Sequence, residues 1–461
     1  MKRLIAIMLC VISLLSVLPT AAFAAVKEVD PETANTAEDA NAAERESEPQ
    51  RGPVEFWDVR PGDWFYNAVM WAKTNGITSG VRPGEFGPNY KVNRAQVVTF
   101  LYAYKGKPDV TNMTNPFCDV DDNAYYRDAA VWAYNNKYSL GSVDWCGNRS
   151  FMPDKVCTFP EIITMLYAMA GKPSVTGWTN PYSNVNGAYY RNAAVWSYYR
   201  EIARFIGTGK KGPEIVPVDD EKLFPTYECD RATTVTLLYA FAVEEMVIHA
   251  ESEYSEESYD WMGGGRYGRG GSDWCAAFVS WCAMRTCLAD KTGVTFYSDD
   301  STGWWDDVNP NSSYNYPVLR NDTAYYVAQQ FVDNNKGTLF MSQYAYSTNS
   351  QYTNEANNGE EQNLPLGEKA EFKNATVYSN SFVPRRGDII FFGTKEYSIS
   401  HVGIVTGCEL VTKWGKEYAE ITTVEGNSGN NTVVTETYYL DMAGDGHYKD
   451  DKWIVGFGRI K

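Results

Sequence analysis

A block of about 60 residues that occurs three times in the first half constrains this chain more than any other feature. The first copy is FWDVRPGDWFYNAVMWAKTNGITSGVRPGEFGPNYKVNRAQVVTFLYAYKGKP, residues 56–108. The second runs from residue 117, beginning FCDVDDNAYYRDAAVWAYNN and ending FMPDKVCTFPEIITMLYAMAGKP. The third runs from residue 182, beginning YSNVNGAYYRNAAVWSYY and ending LFPTYECDRATTVTLLYAFA. Val59, Val120 and Val185, and Trp71, Trp132 and Trp196, recur at 61 to 65 residues, and Thr99, Thr164 and Thr236 each open a TFLY-like segment. Such a period marks a supersecondary unit that cannot bury its apolar face alone, so three copies are expected to share one core.

Within each copy the AVMWA, AVWAY or AVWSY block has apolar residues at helical spacing, a loop follows, and a second apolar helix closes the unit. Gly-rich turns such as TNGITSGVRPGEF separate the two helices. The F-x-DV start, AVxWA helix, GI-x-x-G turn, F-x-P step and R-A-Q helix start resemble the S-layer homology (SLH) family over residues 54 to about 245. The resemblance implies non-covalent attachment to a secondary cell-wall polymer whose acidic sugars lie in grooves between the copies. It assigns Asp58, Trp71 and Arg94 to the first groove, where Arg would fork onto an acid and Trp would offer a face to a sugar. The later copies contribute Asp119, Trp132 and Arg231. The second has FPE where the first has Arg94-Ala95-Gln96, and the third has Asn184 in place of Asp.

The N-terminus reads MKRLIAIMLCVISLLSVLPTAAFA, with a basic start, an apolar run and the small-residue triplet Ala22-Phe23-Ala24. This predicts a secretory signal over 1–24, the run being shorter than the about 20 residues of a spanning helix. Residues 25–52 are acidic, lack aromatics and are expected to form a disordered tether. No later segment is expected to span a membrane, so the mature protein reads as exported, to a Gram-positive-type surface. The net charge of −17 argues against nucleic acid, which needs clustered Lys and Arg. Of the nine cysteines, eight remain after Cys10 leaves with the signal, and none has the C-x2-C spacing of a zinc site.

The repeat stops near residue 250. Expected units are repeat copies at 53–110, 111–175 and 176–248, then a domain at 255–461 with a Tyr- and Asn-rich insertion at about 291–380. In SDWCAAFVSWC, Ser272 and Asp273 are good N-cap residues, which puts Cys275 in the first turn of a helix. There the helix dipole and free N–H groups favour a thiolate. Cys282 is two turns further in, about 10.5 Å along the axis, too far to pair with Cys275, and is expected to fill core. The histidines are His249, His401 and His447. His401 opens the strand-like HVGIV, and Glu425 and Asn427 in VEGNS are expected on one side of a later strand by its period of two. PRRGDIIFFG, AEITTVEGNSGN and KWIVGFGRI also read as strands.

The series W-C-x-x-F-V, P-x-x-GD-I-x-F-F, S-HVGIV and E-G-N-S, in that order, resembles the CHAP family of cysteine- and histidine-dependent amidohydrolases and peptidases over residues 255–461. The resemblance implies Cys275 as nucleophile, His401 as base and then acid, Glu425 and Asn427 as the orienting pair, and an amide bond of peptidoglycan as substrate. It leaves open amidase or endopeptidase. No cofactor is expected. YDWMGGGRYGRGG lacks the calcium loop of some members, and DMAGDGHYKDD lacks most calcium ligands. A zinc amidase is disfavoured by three scattered histidines. The alternative class is a non-catalytic S-layer-type wall-binding or adhesion protein. The expected fold is an all-α three-repeat SLH domain followed by an α+β, papain-like CHAP domain with an antiparallel sheet.

Overall fold

The structure, a computed structural model, describes residues 56–203, 222–255, 267, 274–289, 324–333, 337–341, 372, 374–377, 382–393, 399–428, 432–441 and 453–460. The signal sequence, the acidic tether, Ser272, Asp273, His447 and most of the 291–380 insertion lie outside these residues.

In the first half, helices α1 (Tyr66–Thr74), α3 (Arg127–Asn135) and α5 (Arg191–Tyr199) carry the AVxW blocks. Helices α2 (Arg94–Tyr104), α4 (Phe159–Met169) and α6 (Arg231–Ser255) carry the TFLY-like blocks. Each of the latter three starts at a side chain suited to capping. Asn93 accepts from Gln96 N (2.9 Å) while Gln96 Oε1 accepts from Asn93 N (3.2 Å), a reciprocal capping box. Thr158 and Glu161 form the same box, and Asp230 Oδ1 accepts from Thr233 N at 2.8 Å.

The residues just before these caps meet in a closed ring of backbone hydrogen bonds. Val92 N donates to Cys229 O (3.1 Å), Cys229 N to Cys157 O (3.0 Å), and Cys157 N to Val92 O (2.9 Å). A second contact also recurs three times. Asp58 accepts from Phe86 N (2.9 Å) and Gly87 N (2.7 Å), Asp119 from Phe151 N (2.7 Å) and Met152 N (2.8 Å), and Asn184 Oδ1 from Leu223 N (3.1 Å). These side chains pin the loop that leads into each ring segment. The turn glycines are required by space: a Cβ on Gly80 would lie 2.3 Å from Glu85 O, and one on Gly141 2.3 Å from Ser150 O.

The expectation of an all-α first half is overturned. Strands β1 (Ser142–Val143) and β2 (Arg149–Ser150) form an antiparallel hairpin, and bridges join Lys91 to Asp230, Asn93 to Val156, and Thr158 to Glu228. Helical periodicity reports only which face of a helix is apolar. It carries no signal for these pairings, which satisfy the backbone of polar connecting segments, the three bridges doing so across long sequence separations.

The second half contains α7 (Cys275–Arg285), α8 (Ala324–Asp333), β3 (Gly337–Met341), β4 (Thr376–Val377), β5 (Ile389–Gly393), β6 (His401–Lys413), β7 (Lys416–Ser428), β8 (Thr432–Asp441) and β9 (Trp453–Ile460). The seven strands form one sheet in the order β4-β3-β9-β5-β6-β7-β8. Every neighbouring pair is antiparallel except β3 and β4, which run parallel at the edge. The whole is mixed α/β, and the expected division into an all-α and a papain-like part does not describe it. Helix α6 packs against α1 and α4 of the first half and against α7 and β6 of the second.

That packing is polar as well as apolar. Arg386 donates from Nε to Glu244 Oε2 (2.6 Å) and from Nη1 to Glu251 Oε1 (2.6 Å), both on α6, and also from Nη1 to Thr406 O (2.6 Å) on β6. Arg200 adds a second cation 3.3 Å from Glu244. Burial pushes the Glu244 carboxyl up despite both arginines.

Candidate active site

Cys275 is the first residue of α7, preceded by Trp274 at the cap position, which makes no side-chain cap bond. The cap is therefore one residue later than Asp273, and the indole instead stacks on Tyr267 with ring centroids 5.2 Å apart. The first-turn N–H groups of any helix have no intrahelical acceptor, so the Cys275 sulfur stands at a local positive end. The helix is buried on all sides through Met284. Cys282 is fully buried, and burial pushes its thiol well above the ordinary range.

His401 opens β6, paired with Phe392 of β5, whose ring lies 5.8 Å from the imidazole. On the adjacent strand β7 sits Glu425, fully buried, whose Oε2 is 2.8 Å from His401 Nε2. Its other oxygen accepts from Thr423 Oγ1 at 2.7 Å. With Nε2 committed to Glu425, Nδ1 is the ring atom left for Cys275, whose sulfur lies near enough to the imidazole to act on its charge. Burial acts to lower the His401 pKa, but the hydrogen bonds to Cys275 and Glu425, and their charges, outweigh it and hold the ring up at about 9. The three groups thus form a chain of sulfur, imidazole and carboxylate.

Two glycines make room for it. A Cβ on Gly403 would lie 2.6 Å from Glu425 Cγ, and one on Gly426 would lie 2.6 Å from Phe278 Cβ of α7. The first lets Glu425 fold under β6; the second lets β7 press against the helix that carries Cys275. Asn427 does not share the strand geometry expected of it. It has φ +55°, and the pairing of β7 with β8 shifts register between Glu425 and Ser428. A bulge breaks the alternation of side chains, and the described contact to the ring comes from Glu425. Thr423 was not singled out in the sequence, though its place two residues before Glu425 on one strand face was a usable signal.

The expected wall-polymer residues are placed differently. Trp71 is 1 % and Trp132 3 % exposed, so neither offers a face to a ligand. Trp71 Nε1 donates to Cys287 O (2.8 Å), and its ring packs on Tyr104 and Tyr239; Trp132 packs on Tyr102 and Tyr138. Large aromatics at the inward positions of short helices are drawn into the shared core. Asp58 and Asp119 hold loops, as described above. Arg94 donates to Phe151 O (2.7 Å) and pairs with Glu161 (3.2 Å). Arg231 donates to Phe86 O (2.7 Å) and Thr78 Oγ1 (3.2 Å), and burial lowers its pKa to about 10 against the opposing charge of Asp58. Both arginines therefore reach from the start of a helix into the loop of another copy. The most exposed aromatics among the described residues of this half are elsewhere, at Trp57, Tyr125, Trp145 and Tyr189. Among the described residues, no cluster of His, Cys, Asp or Glu is arranged to hold a metal, and no helix is long and apolar enough to cross a membrane.

Comparison with known proteins bears on the first half. Residues 55–98 match the S-layer homology domain family. A cell surface protein of Thermoanaerobacter kivui is 29% identical over 120 residues, covering 25% of this chain and 15% of the relative. The surface-layer 125 kDa protein of Lysinibacillus sphaericus is 33% identical over 78 residues, covering 16% of this chain and 6% of the relative. The chain thus spans a small part of each relative's length. An S-layer homology domain and surface-protein relatives mark a cell-wall or S-layer-associated surface protein.

Proposed function

We propose that the chain is a wall-attached peptidoglycan hydrolase that cuts an amide bond with a cysteine nucleophile, its second half being a CHAP-type domain and its first half three SLH copies that hold it to secondary cell-wall polymer. The observation that carries the hydrolase reading is the chain Cys275, His401, Glu425, assembled from one helix start and two adjacent strands. A carboxylate on the far ring nitrogen fixes the tautomer and stabilises the imidazolium, while the near nitrogen faces the sulfur. The attachment reading draws on the S-layer homology match.

The Cys275 thiolate attacks the amide carbonyl, and the tetrahedral oxyanion is met by N–H groups at the start of α7. His401 gives its proton to the departing amine, leaving a thioester on Cys275. His401 then takes a proton from water, whose hydroxide releases the acyl group and restores the thiol pair. Glu425 holds the ring in place through both steps, with Thr423 satisfying its second oxygen.

The pH dependence of amine release from purified peptidoglycan tests this. The folded His401 pKa of about 9 stands above the ordinary value of about 6.5. The pair's contribution to stability is thus complete below the unfolded value and lost as pH rises through the folded one. Hydrolysis is expected to hold to near pH 9 and fall above it, as the imidazolium that protonates the leaving amine disappears. Glu425→Gln is expected to move that limb to lower pH. A limb near the ordinary histidine value, unmoved in Glu425→Gln, would count against the assignment.

A further inference from the structure

Strands β6 and β7 extend well past the His401–Glu425 contact as a two-stranded ribbon edged by β8, and the far end of that ribbon is unusual. Lys413 pairs with Lys416, so the connection is the two residues Trp414 and Gly415, with φ +52° and +77°. Positive φ at both central positions is the type I′ geometry, which selects Asn and Gly. A bulky aromatic at the first position is a backbone outlier. The outlier places an indole in solvent: Trp414 is 79 % exposed. Its ring meets Tyr418 and Tyr439 at 5.7 and 6.2 Å, both edge-on, so the two tyrosines brace the indole and together the three rings make a small platform whose flat face is the indole's. Around it run Lys413, bonded to the Tyr439 hydroxyl and to Glu420 at 2.9 Å, and Lys416, 3.3 Å from Asp441.

We propose that this hairpin tip is a glycan-binding site in which Trp414 stacks on the apolar C–H face of a pyranose ring of wall polysaccharide while the rim of Lys, Glu and Tyr hydroxyl groups bonds the ring's polar edge. A strained residue persists where something other than folding keeps it. The platform divides into an apolar face and a hydrogen-bonding edge, as a sugar ring does. Three rings and their rim are far fewer than the about 20–30 residues a side of a standard protein interface. A net charge of −17 disfavours an anionic membrane surface. Glycan is the polymer that a wall-associated protein meets, so the proposal rests on that location and not on the hydrolase reading. The tip lies about 40 Å from His401 along a 13-residue strand at about 3.3 Å per residue, so it would hold the polymer at a distance from Cys275.

The test uses the full chain carrying Cys275→Ser, so that polymer stays intact whether or not the chain is a hydrolase. The probes are a β-1,4-linked N-acetylglucosamine hexamer and peptidoglycan stripped of secondary polymer. Trp414→Asn is expected to weaken hexamer binding by about tenfold or more, from the lost aromatic face. It should leave the thermal midpoint equal or higher, because Asn suits the turn. Trp414→Tyr is expected to keep most of the binding. The proposal is overturned if neither probe binds the Trp414 protein, if Trp414→Asn binds as well, or if Trp414→Tyr loses as much as Trp414→Asn. Concentration-dependent dimers abolished by Trp414→Asn would likewise overturn it, assigning the tip to a second copy of the chain.

Discussion

Cys275→Ala is expected to reduce the release of amines from purified peptidoglycan by about 10³-fold or more, while attachment of the protein to walls persists. The size of the effect follows from what the sulfur does: without it no thioester forms, and His401 and Glu425 have no nucleophile to serve. Persistence of attachment follows from where Cys275 sits, at the start of α7 and outside the segment 55–98 that matches the S-layer homology family. Cys282→Ala, two turns along the same helix, is expected to keep activity at some cost in stability, because that side chain is buried in the core. A zymogram scored beside a wall-pelleting assay separates the two outcomes. Equal lysis by Cys275→Ala and the unchanged protein would remove the catalytic role of this residue.

The largest effect on stability is expected at Arg386. Its guanidinium bonds Glu244, Glu251 and the Thr406 carbonyl, and its side chain and that of Glu244 are 6% and 2% exposed. Arg386→Met keeps much of the volume but leaves Glu244 in the interior with only Arg200, 3.3 Å away. Removing one partner of a buried pair costs about 3–5 kcal/mol because the other charge stays desolvated. Denaturant unfolding of Arg386→Met should show a loss of that order, and the double variant with Glu244→Gln should recover part of it. A loss no larger than that of an exposed pair would mean that α6 is held to the sheet by apolar packing alone.

The helices of the first half were legible because short amphipathic segments with caps at Asn93, Thr158 and Asp230 leave strong local signals. What joins them was not: the ring through Val92, Cys157 and Cys229, and the β1–β2 hairpin, are backbone pairings that leave no periodicity. The same difference explains the tryptophans. A motif places Trp71 and Trp132 in order along the chain, while burial is decided by which face the neighbouring helices cover. In the second half, β5, β6, β7 and β9 were visible as β-branched or aromatic runs between turns. Strand β8 is less plain, its buried Val433, Tyr438 and Leu440 being spaced among polar residues. For the site, Cys275, His401 and Glu425 could be named from sequence, and the structure brings them together. Asn427 departs from the alternation a regular strand would give, because it lies in a bulge with positive φ that sequence does not announce. Thr423, Gly403 and Gly426 act through space around Glu425, and that crowding exists only in the folded chain.

Mass spectrometry of the fragments released from purified peptidoglycan by the unaltered protein tests the central claim most directly. The account predicts new free amines in the soluble products, an N-terminal L-Ala if the bond to muramic acid is cut or an amine elsewhere in the stem peptides if the cut lies there, and none with Cys275→Ala. Intact peptidoglycan after incubation with folded, wall-binding protein would contradict it.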